Sequence, residues 1–377
     1  MLFVAIEFPQ KKRIDFEIIK LVIRMEDIAG SKQKQKVLII RFSSIGDIVL
    51  ASPVIRCVKQ QLPNAEVHFL SKQSFKAVTE ANPYIDKFFY LDGDLNTLID
   101  ELTKENYDYI IDLHKNYRTL RIKRALKCPS FTYKKQSIAK FILTKLHLNF
   151  MSGRHITDRS LDTVKPLGII NDGKGLDYFL PKSLNVSIHD LPTPHQFGYI
   201  AIVIGASYYT KKLPINKLQE LCTQIDYPIV LIGGKEDADE GAEIAKIAPF
   251  KIYNGCGKFS LNESAWLVKE SKLVISHDTG LQYIACAFKK KVFALWGGTS
   301  PKLDVEPYYY ANEMGVQINS LYKNYIVPNL SCQPCSNFGT KTCPKKHFKC
   351  MNNQNLEQIA TDAIKAVKGV STEIISG

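Results

Sequence analysis

The chain has 377 residues, 45% of them hydrophobic and 23% charged, with a formal net charge of +13. That length accommodates two medium domains with cores of their own, and the composition is globular. No apolar run is long enough for a bilayer-spanning helix, which excludes an integral helical membrane protein. The positive balance suits polyanions, an anionic membrane surface or phosphorylated small substrates.

Residues 1–35 read as an appendage. Phe3-Val4-Ala5-Ile6 is too short for a signal-peptide core and has no basic stretch before it, Ile14–Ile23 has the spacing of one amphipathic helix, and Met25 is an alternative start. The nine cysteines are therefore expected in a reducing compartment. From Val37 the chain alternates. Val37–Ile40 is a continuous apolar run, as in a parallel strand covered on both faces. Ser43-Ser44-Ile45-Gly46-Asp47 is a turn, and Ile48–Leu62 a helix that Pro53 should kink or delay. Strands at Val67–Leu70, Phe88–Leu91 and Tyr109–Asp112 follow with helices between them, then a basic helix at Tyr117–Lys127 and a strand at Phe131–Tyr133. Asn171–Pro194, rich in Gly, Pro, Asn and Asp, reads as a linker. Alternation then restarts with strands at Tyr199–Ile204, Ile229–Ile232, Leu273–Ile275 and Val292–Trp296, and helices at Pro214–Ile225, Ala238–Ile247, Leu261–Lys269 and Leu356–Val367. Two runs of βα units predict an α/β protein of two doubly wound domains facing a cleft, with ligands at the carboxyl ends of the strands.

Two turns carry the chemistry. Ser276-His277-Asp278-Thr279-Gly280-Leu281 is a strand-turn-helix passage whose free N–H groups suit a phosphate; Gly280 leaves room for close backbone approach, and the plain alternative is an ordinary helix cap. Asp47 sits where the first strand turns into its helix and has two readings, an acid favouring a helix N-terminus and a general base facing the cleft. Ser43 and Ser44 are placed to orient it.

The stretch KVLIIRFSSIGDIVLASP at residues 36–53 resembles the opening of the glycosyltransferase family 9 enzymes, the lipopolysaccharide heptosyltransferases. SHDTGLQYIACAFKKKVFALWGGTSP, from Ser276 to Pro301, is similar to that family's donor-site signature, and Thr210–Pro214 and Gly233–Asp237 fit in order between them. The resemblance covers roughly residues 36–365. It implies a GT-B fold, with an appendage at 1–35, an acceptor domain at 36–180, a nucleotide-sugar domain at 195–355 and a C-terminal helix at 356–377 packing back on the first domain. It implies inverting transfer of a sugar, typically from ADP-heptose, with no required cofactor. By motif, Asp47 is the general base and Ser44 its support. Lys211 contacts the donor phosphates, Asp237 or its neighbour Glu236 the ribose, and Asp278, Thr279, Gly280 and Leu281 the diphosphate and sugar. Family members usually carry His where this chain has Tyr283, which is read as tuning the donor. The plain alternative for Lys211 is that it and the adjacent Lys212 are two solvated surface lysines.

The basic helix supplies Arg118, Arg121 and Arg124 as candidate contacts to an acidic glycolipid acceptor at an anionic membrane surface. Nothing in the sequence resembles a nucleic-acid module. Cys332, Cys335, Cys343 and Cys350 have the number for a structural zinc, with His347 a competing ligand and free buried thiols the alternative. The expected protein is a cytoplasmic enzyme, peripheral at the inner membrane face, using a nucleotide-sugar and a glycolipid. The rival readings are the same fold with another nucleotide-hexose, a silent nucleotide-sugar-binding protein, and a basic zinc-stapled nucleic-acid binder.

Overall fold

The computed structural model describes residues 34–310 and 320–369; the helix expected at Ile14–Ile23 lies outside them. In the first half, β1 (Gln35–Ile40), β2 (Ala65–Lys72), β3 (Lys87–Leu91), β4 (Tyr109–Asp112) and β5 (Ser130–Thr132) alternate with α1 (Ile45–Leu50), α2 (Ser52–Gln61), α3 (Lys76–Thr79), α4 (Leu95–Thr103) and α5 (Tyr117–Leu126), and α6 (Ser137–Lys145) and α7 (Ile156–Leu161) follow. After α8 (Thr193–Gln196), the second half runs β6 (Ile200–Val203), α9 (Ile215–Gln224), β7 (Ile229–Ile232), α10 (Ala238–Ala245), β8 (Ile252–Asn254), α11 (Leu261–Glu270), β9 (Leu273–His277), α12 (Gly280–Ala287), β10 (Val292–Leu295) and β11 (Tyr322–Tyr325). Helices α13 (Lys349–Asn352) and α14 (Leu356–Lys368) end the described chain.

The strands form two parallel sheets, in the orders β3-β2-β1-β4-β5 and β11-β10-β9-β6-β7-β8. Each order reverses direction once, between β1 and β4 and between β6 and β9. Such a switch point leaves a crevice at the carboxyl ends of the two strands. The loops that matter below leave β1, β4, β6 and β9, so both crevices are used. Val37, Leu38, Ile39 and Ile40 are fully buried, as the unbroken apolar run requires for a strand covered on both faces. Pro53 delays a helix as expected: the chain breaks at Ala51, and Pro53 falls in the first turn of α2, where its missing N–H is no loss.

The halves share a core. One apolar cluster runs from Val54 and Ile55 of α2 through Tyr178 of the linker to Tyr283 and Ala285 of α12. Helix α14 differs from expectation. Its stripe of Ile359, Ala360, Ala363 and Val367 packs with Leu218, Leu221 and Cys222 of α9, so this helix caps the second domain and does not return to the first. Its polar face is held by Tyr325, whose hydroxyl donates to Asp362 at 2.8 Å.

The linker is tied down by a buried cation. Arg56 on α2 is 1% exposed. Its guanidinium grips Asp172 through two bonds of 2.7 and 2.8 Å, pairs with Asp177 and donates to the Gly175 carbonyl at 2.9 Å. A guanidinium taken out of water needs this degree of pairing, and removing it leaves two carboxylates half-buried without their partner. Arg56→Ala should therefore lower unfolding free energy by about 3–5 kcal/mol, the usual cost of breaking a buried pair. Chemical denaturation measures it, and a loss under about 1 kcal/mol contradicts the role given to Arg56.

Candidate active site

Asp47 lies on the loop and first turn that follow β1. Ser44 donates to its Oδ2 from the backbone N at 3.1 Å and from Oγ at 3.0 Å. Arg41 approaches the other oxygen, Nη2 to Oδ1, at 2.6 Å. Burial pushes the Asp47 carboxyl up, but the Arg41 charge and the Ser44 bonds outweigh it and hold the carboxyl below its usual 3.8. Arg41 is itself fixed by the carbonyls of Ser43 and Leu113. The support expected of Ser44 is present, and Arg41 is an addition that the motif contained without revealing its role.

Further cations lie in the field of Asp47. Lys135 and Lys140 sit in the field of both Asp47 and Arg41, and burial lowers both ammonium groups. Arg159, 7% exposed, donates to the Tyr133 hydroxyl at 2.6 Å. Its Nη2 is buried and has no partner among the described residues. His114, after β4, is held neutral: burial, then Arg41 and Lys135, bring its imidazole down to about 4. The arginines expected to meet the acceptor sit elsewhere on the domain. Arg118 and Arg124 point to solvent on α5, and Arg121 bonds Asn96 at 2.6 Å. The cation in contact with Asp47 is instead Arg41, with Lys135 and Lys140 in its field. Lys123, from the same basic helix, is a structural partner of the buried Asp112 at 2.9 Å.

Across the cleft, Lys211 follows β6 and meets the turn after β9. Its Nζ is 2.7 Å from Asp278 Oδ2 and 2.9 Å from the Asp278 carbonyl. Thr279 is the N-cap of α12, with extended backbone, and Ser276 Oγ lies 3.4 Å from its hydroxyl. The lysine and the turn are thus assembled as the sequence suggested. His277 faces inward: its Nε2 accepts from the Leu213 N–H at 2.9 Å, and burial brings its pKa down to about 3, so it is neutral.

Four sequence expectations change here. A Cβ on Gly280 would lie 2.5 Å from Ile45 Cγ2 and 3.2 Å from the Gly46 N, so the absence of a side chain here admits the first domain. Tyr283, 5% exposed, is not an open donor contact. Its ring lies against Gly46, where a Cβ would come within 2.8 Å, and its hydroxyl donates to the Val305 carbonyl at 2.6 Å, with Asp278 Oδ1 at 3.3 Å. Burial raises its phenol well above the ordinary range, and both Asp278 and Asp47 add to the rise, so the ring stands between the two halves of the site. Asp237 is 2% exposed and already bonded, to Lys212 at 2.8 Å and to the Gly234 N–H at 2.9 Å; the exposed carboxylate is Glu236. Lys212 is correspondingly no free surface lysine, since it also reaches Glu240 at 2.6 Å.

The cysteine segment braces the donor side. Cys332, Cys335, Cys343, Cys350 and His347 line one small cavity against Gly297, Gly298 and Thr210. The cysteines are free thiols, and among the described residues no group of three or more His, Cys, Asp or Glu side chains has metal-holding geometry. Burial pushes the Cys350 thiol up to about 12. The segment's bonds go to the loop after β10 and to the Lys211 turn. Gln333 Nε2 reaches the Gly297 carbonyl at 2.7 Å, Cys335 N the Gly298 carbonyl at 3.0 Å, and Thr340 N the Thr210 hydroxyl at 2.7 Å. Thr210 immediately precedes Lys211, so the cysteine segment positions the lysine.

Two parallel doubly wound sheets face each other here, with an ionised carboxylate on one side and a lysine beside a helix N-terminus on the other. That architecture is the GT-B fold. The model of glycosyltransferase family 9 (heptosyltransferase) matches residues 96–323, more than half the chain, and the chain belongs to that family. Lipopolysaccharide heptosyltransferase 1 of Campylobacter coli is 24% identical over 291 residues, covering 70% of this chain and 84% of that one. Among solved structures, the glycosyl transferase family 9 protein of Veillonella parvula DSM 2008 superposes with a TM-score of 0.67 at 18% identity, covering 90% of this chain and 99% of that chain. E. coli ADP-heptose lps heptosyltransferase II gives 0.65 at 16% identity, covering 90% and 100%. These structures share the fold.

The Arg41–Asp47 pair has a pH signature. A carboxyl lowered below 3.8 stays ionised through mildly acidic solution. In Arg41→Gln, burial is opposed only by Ser44, so the carboxyl pKa rises and the acidic limb of kcat/KM should move to higher pH. An acidic limb at the same pH in both proteins contradicts Arg41 as the group that keeps Asp47 ionised.

Proposed function

We propose that this glycosyltransferase moves a heptose from ADP-heptose onto a hydroxyl of an acidic lipopolysaccharide-core glycolipid, with inversion at the anomeric carbon. The observation that carries the reading is the opposition of Asp47, ionised by Arg41 and Ser44, to the Lys211–Asp278 turn at the head of α12. The names of the relatives support the donor and acceptor class: one is a lipopolysaccharide heptosyltransferase, and one solved neighbour is named for ADP-heptose.

The acceptor hydroxyl attacks the anomeric carbon as the bond to the donor phosphate breaks, and the nucleoside diphosphate leaves with the electron pair. Lys211 and the first-turn N–H groups of α12 face that growing charge, a preorganised arrangement that needs no reorientation during the step. Asp47 takes the proton. Its lowered pKa makes it a weak base toward a resting alcohol. The attacking oxygen becomes strongly acidic once its bond to carbon forms, so a carboxylate that is always ionised suits a late proton transfer. We assign the ribose to the exposed Glu236 rather than to Asp237. Lys140 and the unpartnered Nη2 of Arg159 offer the acceptor's acidic groups a place beside the base. A lipid-linked acceptor puts the enzyme at a membrane face.

Isothermal titration with nucleotides, and transfer assays with ADP-heptose and a core acceptor, test this. ADP should bind in preference to UDP and GDP. Asp47→Asn should keep ADP binding and lose roughly 10²–10⁴-fold in turnover, the range for a general base. Near-normal turnover in that variant removes the assignment. Lys211→Ala should weaken ADP binding by about 1.5–3 kcal/mol, as for hydrogen bonds to a charged group, and the loss should shrink as salt rises. Unchanged affinity in folded Lys211→Ala protein removes the donor site from this turn.

A further inference from the structure

Between Asp112 and Asp158 the sequence contains eleven Lys and Arg residues and no Asp or Glu, a balance of +11 within a chain of net +13. Nearly all of the protein's positive excess is thus confined to one passage, which includes α5, β5 and α6. The same passage holds the densest group of exposed large apolar side chains. On α6 and the loop after it, Ile138 is 78% exposed, Phe141 59%, Leu146 61%, Leu148 54% and Phe150 67%. Scattered exposed apolar residues are ordinary on a soluble protein, but five within thirteen positions are not.

This excursion is a built element. Its inner face is anchored by Leu143 and Thr144, both buried. Its two ends are closed on each other, with Gln136 Nε2 to Ser152 Oγ at 2.6 Å and Ser152 N to Gln136 Oε1 at 3.0 Å. Ser152 Oγ and Gln136 Nε2 also reach Asp304 of the second domain, at 3.4 and 3.5 Å. Entry to α6 is fixed by Lys135, which donates to the Lys115 carbonyl at 3.0 Å. The outer face is therefore held outward by a closed base. Lys134, Lys145 and His147 are exposed among the apolar residues, so the face alternates cation and hydrocarbon.

We propose that the outer face of α6 and the loop to Phe150 is a docking surface for an anionic phospholipid bilayer. The phenyl and leucyl groups enter the headgroup–acyl boundary, and the lysines around them meet lipid phosphates. The occupant follows from the charge: a purely apolar partner leaves the exposed Lys134 and Lys145 without counterparts, and a second copy of this chain would bring an equally basic face against them. The position suits the purpose. Lys140, on the inner side of the same helix, is in the field of Asp47, so a bilayer seated on the outer side lies next to the acceptor half of the cleft. The proposal rests on the glycolipid-acceptor reading for its purpose, but its test does not.

Full-length protein is floated with vesicles free of any acceptor, made either of phosphatidylcholine alone or of phosphatidylcholine with phosphatidylglycerol. Binding should occur with the anionic vesicles, be at least tenfold weaker with the neutral ones, and fall with salt. Phe141→Ser with Phe150→Ser, both at exposed positions, should fold normally and lose at least tenfold in vesicle binding. Phe250→Ser, at an 89% exposed site on the other domain, should change nothing. Lys134→Glu with Lys145→Glu should likewise abolish binding. In transfer assays the phenylalanine variant should keep its rate on a water-soluble truncated acceptor and lose it on vesicle-embedded acceptor. Failure of the wild type to bind anionic vesicles, or binding unaffected by the double substitutions, overturns the proposal. Concentration-dependent self-association in sedimentation that the phenylalanine variant abolishes assigns the face to a second copy and overturns it as well. Because the vesicles carry no acceptor, an error in the transfer reading leaves the binding result intact.

Discussion

Two glycines facing each other across the domain boundary decide the geometry of this enzyme. Gly46, in the first turn of α1, lies under the Tyr283 ring, and Gly280, which opens α12, lies against Ile45 and the Gly46 N. Neither position has room for a methyl group. Close approach of the two turns brings the residue after Gly46, Asp47, opposite the two residues before Gly280, Asp278 and Thr279. A family 9 glycosyltransferase must hold donor and acceptor in one frame, because positioning the reactants supplies much of its rate. Here that frame is a backbone contact, reinforced by a core that continues from one sheet to the other.

Around this contact each charge has a defined partner. Arg41 keeps Asp47 ionised, Lys211 is held by Asp278, and Lys212 is drawn away to Asp237 and Glu240, so only one of two adjacent lysines serves the cleft. The support extends outward. Thr340, Gln333 and Cys335 hold the Thr210 turn and the glycine loop after β10. The cysteine segment therefore braces the turn that carries Lys211, whatever the state of its thiols. On the other side Arg56 ties to α2 the linker that leads from the first sheet to the second.

The residues that sequence reading found are those whose position follows from local pattern. Asp47 and Asp278 lie in the turns that follow apolar strand runs, and in a parallel sheet the passage after a strand is a cleft position wherever the strand pairs. Lys211 lay within a short motif between two strands. What was hidden depends on contacts between distant segments. Nothing local reveals Ile45 against Gly280, and Tyr283 looked like a donor contact because its neighbour Gly46 is far away in sequence. Asp237 and Lys212 are 25 positions apart, and their pairing changes the reading of both. Arg41 stood inside the first motif but alternates with strand residues, and only the fold turns its guanidinium onto Asp47. Helix α14 has one apolar stripe, and the stripe does not say which domain will cover it. Helix α6 escaped notice because its outward apolar face does not give the amphipathic signature of a helix packed on a core.

The most direct measurement of the whole account is a crystal structure of the protein with ADP bound. The diphosphate should lie on the Thr279–Gly280 turn with Lys211 Nζ on a phosphate oxygen, the ribose should lie toward Glu236, and the Asp47 carboxylate should face the terminal phosphate across the cleft. A diphosphate bound away from Lys211, or a domain arrangement in which Gly46 and Gly280 no longer meet when nucleotide is present, would contradict it.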